Sequence, residues 1–353
     1  MKRNTGLTLK LLGVLAGVLI LSGCRPAPQP VGQLVIFNWE DYLAPETIPA
    51  FEQRYRAEVV VETFPDERTL LEELQQGERN YDLIVAGNAL VEKMIRLGLL
   101  QPIDLANISN YPNLDPGFQS LHYDPGNRYS IPYMWGTTGI ALNRDKITRE
   151  ADSWSILWNP EYRGRLAMLS DPDEVIGAAL KYLGYNINTI NHAQLEEARA
   201  ALVEQKPLLV GYLDPQGIKD GMIAGEIWAA QLYSGDAMMV GEEKPEVVYL
   251  IPREGTDLWV DNFAVPAGAV NRRGAELFIN FCLEPEISAA NANYLRYANT
   301  NRAARPLTDP EILADPGLYP PPEVIELLEI TSLETFPEIR EIRAGIWEEL
   351  VGE

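Results

Sequence analysis

Hydrophobic positions along this chain fall into two alternating kinds of block. Gln33-Leu34-Val35-Ile36-Phe37 is apolar enough for a strand buried on both faces, and a helical pattern follows over 45–55. The pair recurs as a strand at 58–64 with a helix at 69–76, then a strand at 82–86 with a helix at 89–99. Further strands are expected at 139–143 and 166–169, the second leading into a helix over 172–183. Helices follow at 191–204 and 214–224, strands at 227–232, 247–251 and 258–265, and a helix at 273–283. An amphipathic helix at 338–350 carries Ile339, Ile342, Ile346 and Trp347 on one face. This alternation predicts an α/β fold with a mainly parallel sheet, and the number of elements suggests two lobes. Ligands of open α/β sheets bind beyond the carboxyl ends of the strands.

The first residues break this pattern. Lys2, Arg3 and Lys10 precede an apolar run from Leu11 to Leu21, then Ser22-Gly23-Cys24. A basic start, a short apolar stretch and small residues before a cut site form a secretory signal, too short for a membrane span. Leu21-Ser22-Gly23-Cys24 resembles the lipobox of bacterial lipoproteins, which makes residues 1–23 a lipoprotein signal peptide and Cys24 the lipidated residue. Residues 24–32, with Pro26, Pro28 and Pro30, then form a stiff tether of polyproline type.

Charge narrows the partners. The chain carries −22 at pH 7, and loss of the signal, which holds three bases and no acid, makes the mature protein −25. Such a surface repels nucleic acid and anionic lipid; it would attract cations, or it serves solubility alone. Cys24 and Cys282 are the two cysteines, so lipid on Cys24 precludes an internal disulfide. Cys282 lies in an apolar helical stretch and reads as an inert core residue. No phosphate-binding glycine loop, nucleophile elbow or zinc-binding H-E-x-x-H occurs, and His122 and His192 sit beside a turn and at a helix start. Neither a cofactor nor a metal is expected.

Aromatic residues stand next to acids near strand ends. Trp39-Glu40-Asp41-Tyr42 follows the first strand, and Tyr233-Ser234-Gly235-Asp236 follows the strand at 227–232. Trp259 and Asp261, two apart on a strand, point the same way. Each cluster alone is compatible with a surface aromatic beside a solvated acid. Together they suit an elongated organic cation: carboxylates pair with ammonium heads, and aromatic faces cover methylenes and attract the charge. Asp171-Pro172-Asp173-Glu174 reads, on local chemistry alone, as a helix capping box.

The order of these motifs resembles that of the spermidine/putrescine-binding lipoproteins and periplasmic proteins of bacterial ABC importers, from about Leu34 to about Pro322. The matching stretches are FNWEDY, YDLIVAGNALVEKMIRLGLLQPID, YSIPYMWGTTGIALNRD, SWSILWNPEYRGRLAMLSDPDEV and LWVDNFAVPAGAVNRRGAELFINF. The resemblance implies a type II periplasmic-binding fold, with lobe 1 at 33–138 and 262–304, lobe 2 at 139–261 and 305–353, and ligand in the cleft between them. Carried over by position, the ligand-binding residues are Trp39, Glu40, Asp41, Tyr42, Asp171, Glu174, Tyr233, Asp236, Trp259, Asp261 and Tyr297. The family has Ser or Thr where Glu40 stands, a Ser-Thr-Tyr type segment at Gly87-Asn88-Ala89, and a Gln near Thr331.

The expected function is thus a non-enzymatic, monomeric receptor, tethered to the outer face of the membrane, that delivers a polyamine to an ABC permease and binds no nucleic acid. The alternatives are a receptor for another organic cation or small solute, and a carboxylate-dependent extracellular hydrolase.

Overall fold

The computed structural model of the protein describes residues 30–149, 151–332 and 336–352. The expected signal segment, Cys24 and most of the tether lie outside the described residues. The described residues form ten strands: β1 (Gly32–Asn38), β2 (Ala57–Thr63), β3 (Leu83–Gly87), β4 (Ser130–Asn143), β5 (Leu166–Leu169), β6 (Leu209–Leu213), β7 (Ala229–Tyr233), β8 (Val247–Leu250), β9 (Leu258–Ala264) and β10 (Ala298–Asn299). Their order is β2-β1-β3-β9-β4-β7-β5-β6, with β8 and β10 also paired to β4.

The sheet has two halves that share one strand. β2, β1 and β3 are parallel, and β9 runs antiparallel to β3 and to the first part of β4. The last part of β4 pairs antiparallel with β7 and β8, and β5 lies parallel to both β6 and β7. The sheet is therefore mixed where mainly parallel order was expected. β9 runs against the parallel strands of the first half, and the shared strand β4 runs against those of the second. Hydrophobic alternation carries no signal of strand direction, so the error has a physical origin.

Both faces of each half are covered, which explains the apolar runs. In the first half Leu34, Ile36, Leu83, Val85 and Phe263 meet Phe51 of the helix Thr47–Tyr55 and Phe278 and Phe281 of the helix Arg272–Cys282. Phe37, Ile84 and Ala86 face the other side, against Leu70, Val91 and Met94. In the second half the C-terminal helix Pro337–Val351 buries Ile339, Ile346 and Leu350 among Val175, Leu180 and Leu195. Ile218, Met222 and Val240 cover the opposite face. Cys282 is buried in its helix.

β4 extends nine residues before the predicted strand. All fourteen of its residues are buried. Pro132 and Gly136 hide it from pattern reading, because Pro cannot donate to a ladder and Gly weakens a strand. A register shift between Pro132 and Met134 accommodates the imide. The helices Ser234–Glu243 and Pro285–Leu295 and the edge strand β6 were also not anticipated. Ser-Gly, Asn-rich and Pro- or Gly-interrupted sequences carry weak propensity there.

Candidate functional site

β9 brings the central groups together. Leu258 and Val260 pack with Trp135, Ala298 and Tyr319 on one side, which turns Trp259 and Asp261 to the other. Asp261 lies in register with Gly87 of β3 and Met134 of β4. Its carboxylate accepts a hydrogen bond from the Tyr42 hydroxyl. Tyr42 is held by its loop: Asp41 adopts a left-handed φ of 53°, and the Ala44 N–H donates to buried Asn291 Oδ1 at 2.8 Å.

Aromatic rings surround this point. The Trp259 ring meets Tyr297 edge-on at 5.1 Å and Tyr233 at 6.1 Å. Tyr42 meets Tyr133 at 5.9 Å and Tyr297 at 6.3 Å. Two glycines make room for the rings. A Cβ at Gly136 would stand 2.3 Å from Trp259 Cζ2, and one at Gly235 would stand 2.4 Å from Tyr297 Cε1. The Trp259 indole N–H and the Ser234 hydroxyl are buried without a hydrogen-bond partner among the described residues. Such groups are costly to leave unpaired.

Acids gather on the side of Asp261 toward the second half. Asp171 caps the helix Pro172–Tyr182, accepting from the Asp173 and Glu174 N–H groups at 2.9 and 3.2 Å. The expected capping box is only half formed, because Glu174 accepts instead from the Thr138 hydroxyl of β4 at 2.7 Å. Two acids not singled out in the sequence join them. Asp257 accepts from the Thr331 hydroxyl at 2.8 Å, and Glu67 accepts from the Gly87 N–H at 2.8 Å. A signal for Asp257 was present: Asp257, Trp259 and Asp261 are spaced by two. Glu67, at the start of the helix Glu67–Gln76, looks in sequence like an ordinary first-turn acid.

Every one of these carboxyls holds its proton more tightly than usual. Burial is the main cause throughout, and mutual repulsion adds to it. Burial and the charges of Asp261 and Asp171 push Glu67 up to about 8, against the pull of the Gly87 N–H. Asp257 is raised by burial to about 7 despite its bonds from Thr331. Asp171 rises to about 6 through burial and Asp173, and Asp261 to about 6 through burial, against the Tyr42 bond. Glu174 is also raised, by burial and then Asp257 and Asp171. None of the five forms an ion pair with a Lys or Arg among the described residues. Arg343, whose charge favours ionised Asp171, is bound to Asp173 at 2.8 Å.

The other expected residues divide. Asp236 lies beyond Tyr297, whose hydroxyl donates to it at 3.3 Å, and Lys219 forms an ion pair with it at 2.7 Å. Trp39 packs on Phe64 at 4.5 Å. Glu40 and Asp41 are exposed, and the structure gives neither side chain a hydrogen bond or ion pair among the described residues. In Gly87-Asn88-Ala89, Asn88 is buried and accepts from the Val260 N–H at 3.0 Å while donating to the Thr331 carbonyl at 3.1 Å. That segment therefore fixes β9 and the strand-like stretch near Thr331 where the family places an aromatic ring. His122 and His192 are exposed. No group of three His, Cys, Asp or Glu among the described residues could hold a metal ion, and no described helix is long and apolar enough to cross a membrane. Uncompensated carboxyls beside aromatic faces can hold an ammonium group by charge-assisted hydrogen bonds and cation–π contact.

The chain's relatives share this architecture. Residues 46–320 match the family described as bacterial extracellular solute-binding protein. The putrescine-binding periplasmic protein SpuD of Pseudomonas aeruginosa is 34% identical over 96% of this chain and 95% of its own length. The spermidine/putrescine-binding periplasmic protein of Escherichia coli is 33% identical over 88% and 90%. Among solved structures, the substrate-binding protein PotD of Streptococcus pneumoniae superposes with a TM-score of 0.82 at 31% identity, covering 90% of this chain and 98% of that one. The TpPotD lipoprotein of Treponema pallidum gives 0.81 at 29% identity, over 90% and 99%. With most of its folded length matched in sequence and in structure, the chain belongs to the bacterial extracellular solute-binding proteins, with their type II two-lobe fold.

Proposed function

We propose that this protein is an extracytoplasmic receptor that binds a polyamine, spermidine and/or putrescine, and delivers it to the permease of an ABC importer. The observation that carries this reading is the group of five carboxyls, Glu67, Asp171, Glu174, Asp257 and Asp261, near Trp259, with no ion-paired Lys or Arg among the described residues. A ligand bearing two or three ammonium groups would supply the missing charge, and the rings of Tyr42, Tyr233, Trp259 and Tyr297 would cover its methylenes. The names of the Pseudomonas and Escherichia relatives point the same way. Trp39, Glu40 and Asp41 would line the mouth, and Asp236 the far end. The lobes, 33–138 with 262–304 and 139–261 with 305–353, would close on the ligand about β4 and β9, the strands at their boundary. Binding without turnover is the role that the names of these relatives carry, and the receptor would act as a monomer.

Lipid on Cys24 would tether it to the outer face of the membrane, as the description of the treponemal relative as a lipoprotein suggests. Membrane partitioning that survives Cys24→Ser would overturn that anchor. The binding reading is tested by calorimetry on the full chain with putrescine, spermidine, spermine and agmatine. Saturable binding of at least one is expected; heats no larger than dilution for all four would overturn it.

A further inference from the structure

Asp236 differs from the other acids of the cleft in one respect: it already holds an ammonium group. Lys219, on the helix Pro215–Ile223, places Nζ 2.7 Å from Asp236 Oδ1. The side chains are only 18% and 13% exposed, so water screens the pair weakly. The other carboxylate oxygen faces the Tyr297 hydroxyl at 3.3 Å. Tyr297 in turn lies edge-on against Trp259, and Gly235, beside Asp236, lets its ring approach. The Asp236 end is therefore continuous with the aromatic cluster around Asp261, and Tyr297 feels the charge of both acids.

The chemistry of the partner matters. A lysine side chain is four methylenes ending in a primary ammonium, which is one end of a 1,4-diamine. We propose that Lys219 acts as a built-in amine: it occupies the Asp236 subsite, presents positive charge where a third ligand amine would arrive, and so sets the preference of the receptor toward shorter, less charged amines. This inference rests on the polyamine reading above. Its logic is that of specificity by repulsion, in which a site is closed to one competitor at little cost to the other. Putrescine would be read by the uncompensated carboxyls from Asp261 to Glu174. Spermidine would have to displace Lys219 or leave an amine facing it.

A merely structural ion pair, joining the helices Pro215–Ile223 and Ser234–Glu243, makes a different prediction. Its loss would lower stability and leave ligand ranking alone. Calorimetry with putrescine and spermidine on the full chain, its Lys219→Met variant and the Lys219→Met, Asp236→Asn double variant separates the two. Removing the ammonium should raise the spermidine-to-putrescine affinity ratio by about tenfold or more, the size expected for freeing a weakly screened carboxylate. The double variant, with neither charge, should return the ratio to within about threefold of the parent. If Lys219→Met does not fold, Asp236→Asn carries the test in reverse. It leaves the ammonium bare, and spermidine affinity should then fall more than putrescine affinity. A parental ratio in a folded Lys219→Met or Asp236→Asn variant overturns the inference alone. A parent that binds neither amine overturns the polyamine reading and the inference with it.

Discussion

Two regions of the molecule treat carboxylates differently. Around Asp261 five half-buried acids stand near one another, none ion-paired with a Lys or Arg among the described residues, and all five hold their protons tightly. At Asp236 a single acid is matched by Lys219. A paired buried acid is satisfied within the fold, whereas a group of unpaired ones stores a demand for positive charge that only a ligand or protons can meet. The first arrangement occupies its acid before any ligand arrives; the second leaves its acids open to one.

The contrast is most sharply broken by changing one acid at each end. Asp261→Asn removes a carboxylate that the proposed ligand would desolvate, and should cost about 2–5 kcal/mol of polyamine binding. Stability should change little, because no protein cation loses its partner. Asp236→Asn does the reverse to the fold, stranding the Lys219 ammonium, and should lower the thermal midpoint. Calorimetry and melting curves on both variants test this. An Asp261→Asn protein that binds within twofold of the parent would remove Asp261 as an anchor.

Much of the unpaired end was legible in sequence, and the reason is periodicity. Trp259 and Asp261 share a strand face because side chains alternate, and Asp257 extends the same spacing. Residues placed by tertiary approach were not legible. Glu67 reaches Asp261 because the helix Glu67–Gln76 starts beside Gly87, and Lys219 reaches Asp236 across two helices. Local pattern also misjudged Glu174: a capping box is a local motif, and the Thr138 hydroxyl, 36 residues earlier on the shared strand, competed successfully for its carboxylate. The fold shows the same division. Helices with strong apolar faces were found to within a few residues, whereas the first part of β4 was concealed by Pro132 and Gly136.

The proton content of the unpaired end provides a second, smaller effect. Ordinary carboxyls titrate near 4. Here folding raises Asp171 and Asp261 to about 6, Asp257 to about 7 and Glu67 to about 8. The folded chain thus binds more protons than the unfolded chain between about pH 4 and pH 8. The ligand-free protein should lose stability as pH rises through that window. A polyamine, whose amines stay charged well above pH 8, prefers the ionised carboxyls. Its affinity should therefore tighten by about tenfold from pH 5.5 to pH 8, with proton release on binding. Calorimetry at pH 6.5 in buffers of different ionisation heat measures that release. Binding heats independent of buffer would show that these acids release no net proton to the ligand-bound state.

The smallest effect is expected at Glu40. Its carboxylate is exposed and bonded to nothing in the described structure, unlike Asp236 or the acids around Asp261. Acting through about 10 Å of water at physiological salt, one such charge contributes only about 0.1 kcal/mol for each charge on the ligand. Glu40→Thr should accordingly weaken spermidine and putrescine together, each by less than about twofold, and leave their ratio almost unchanged. Salt decides the mechanism. Screening at 0.5 M should erase a long-range effect, whereas a direct hydrogen bond to an amine would persist. Titrating both polyamines against the parent and Glu40→Thr at two salt concentrations resolves the two cases. A ratio that shifts several-fold and survives high salt would mean that the loop Trp39–Tyr42 turns Glu40 onto the ligand. The cleft would then have a third kind of carboxylate, solvated in the empty receptor and recruited only when the lobes close.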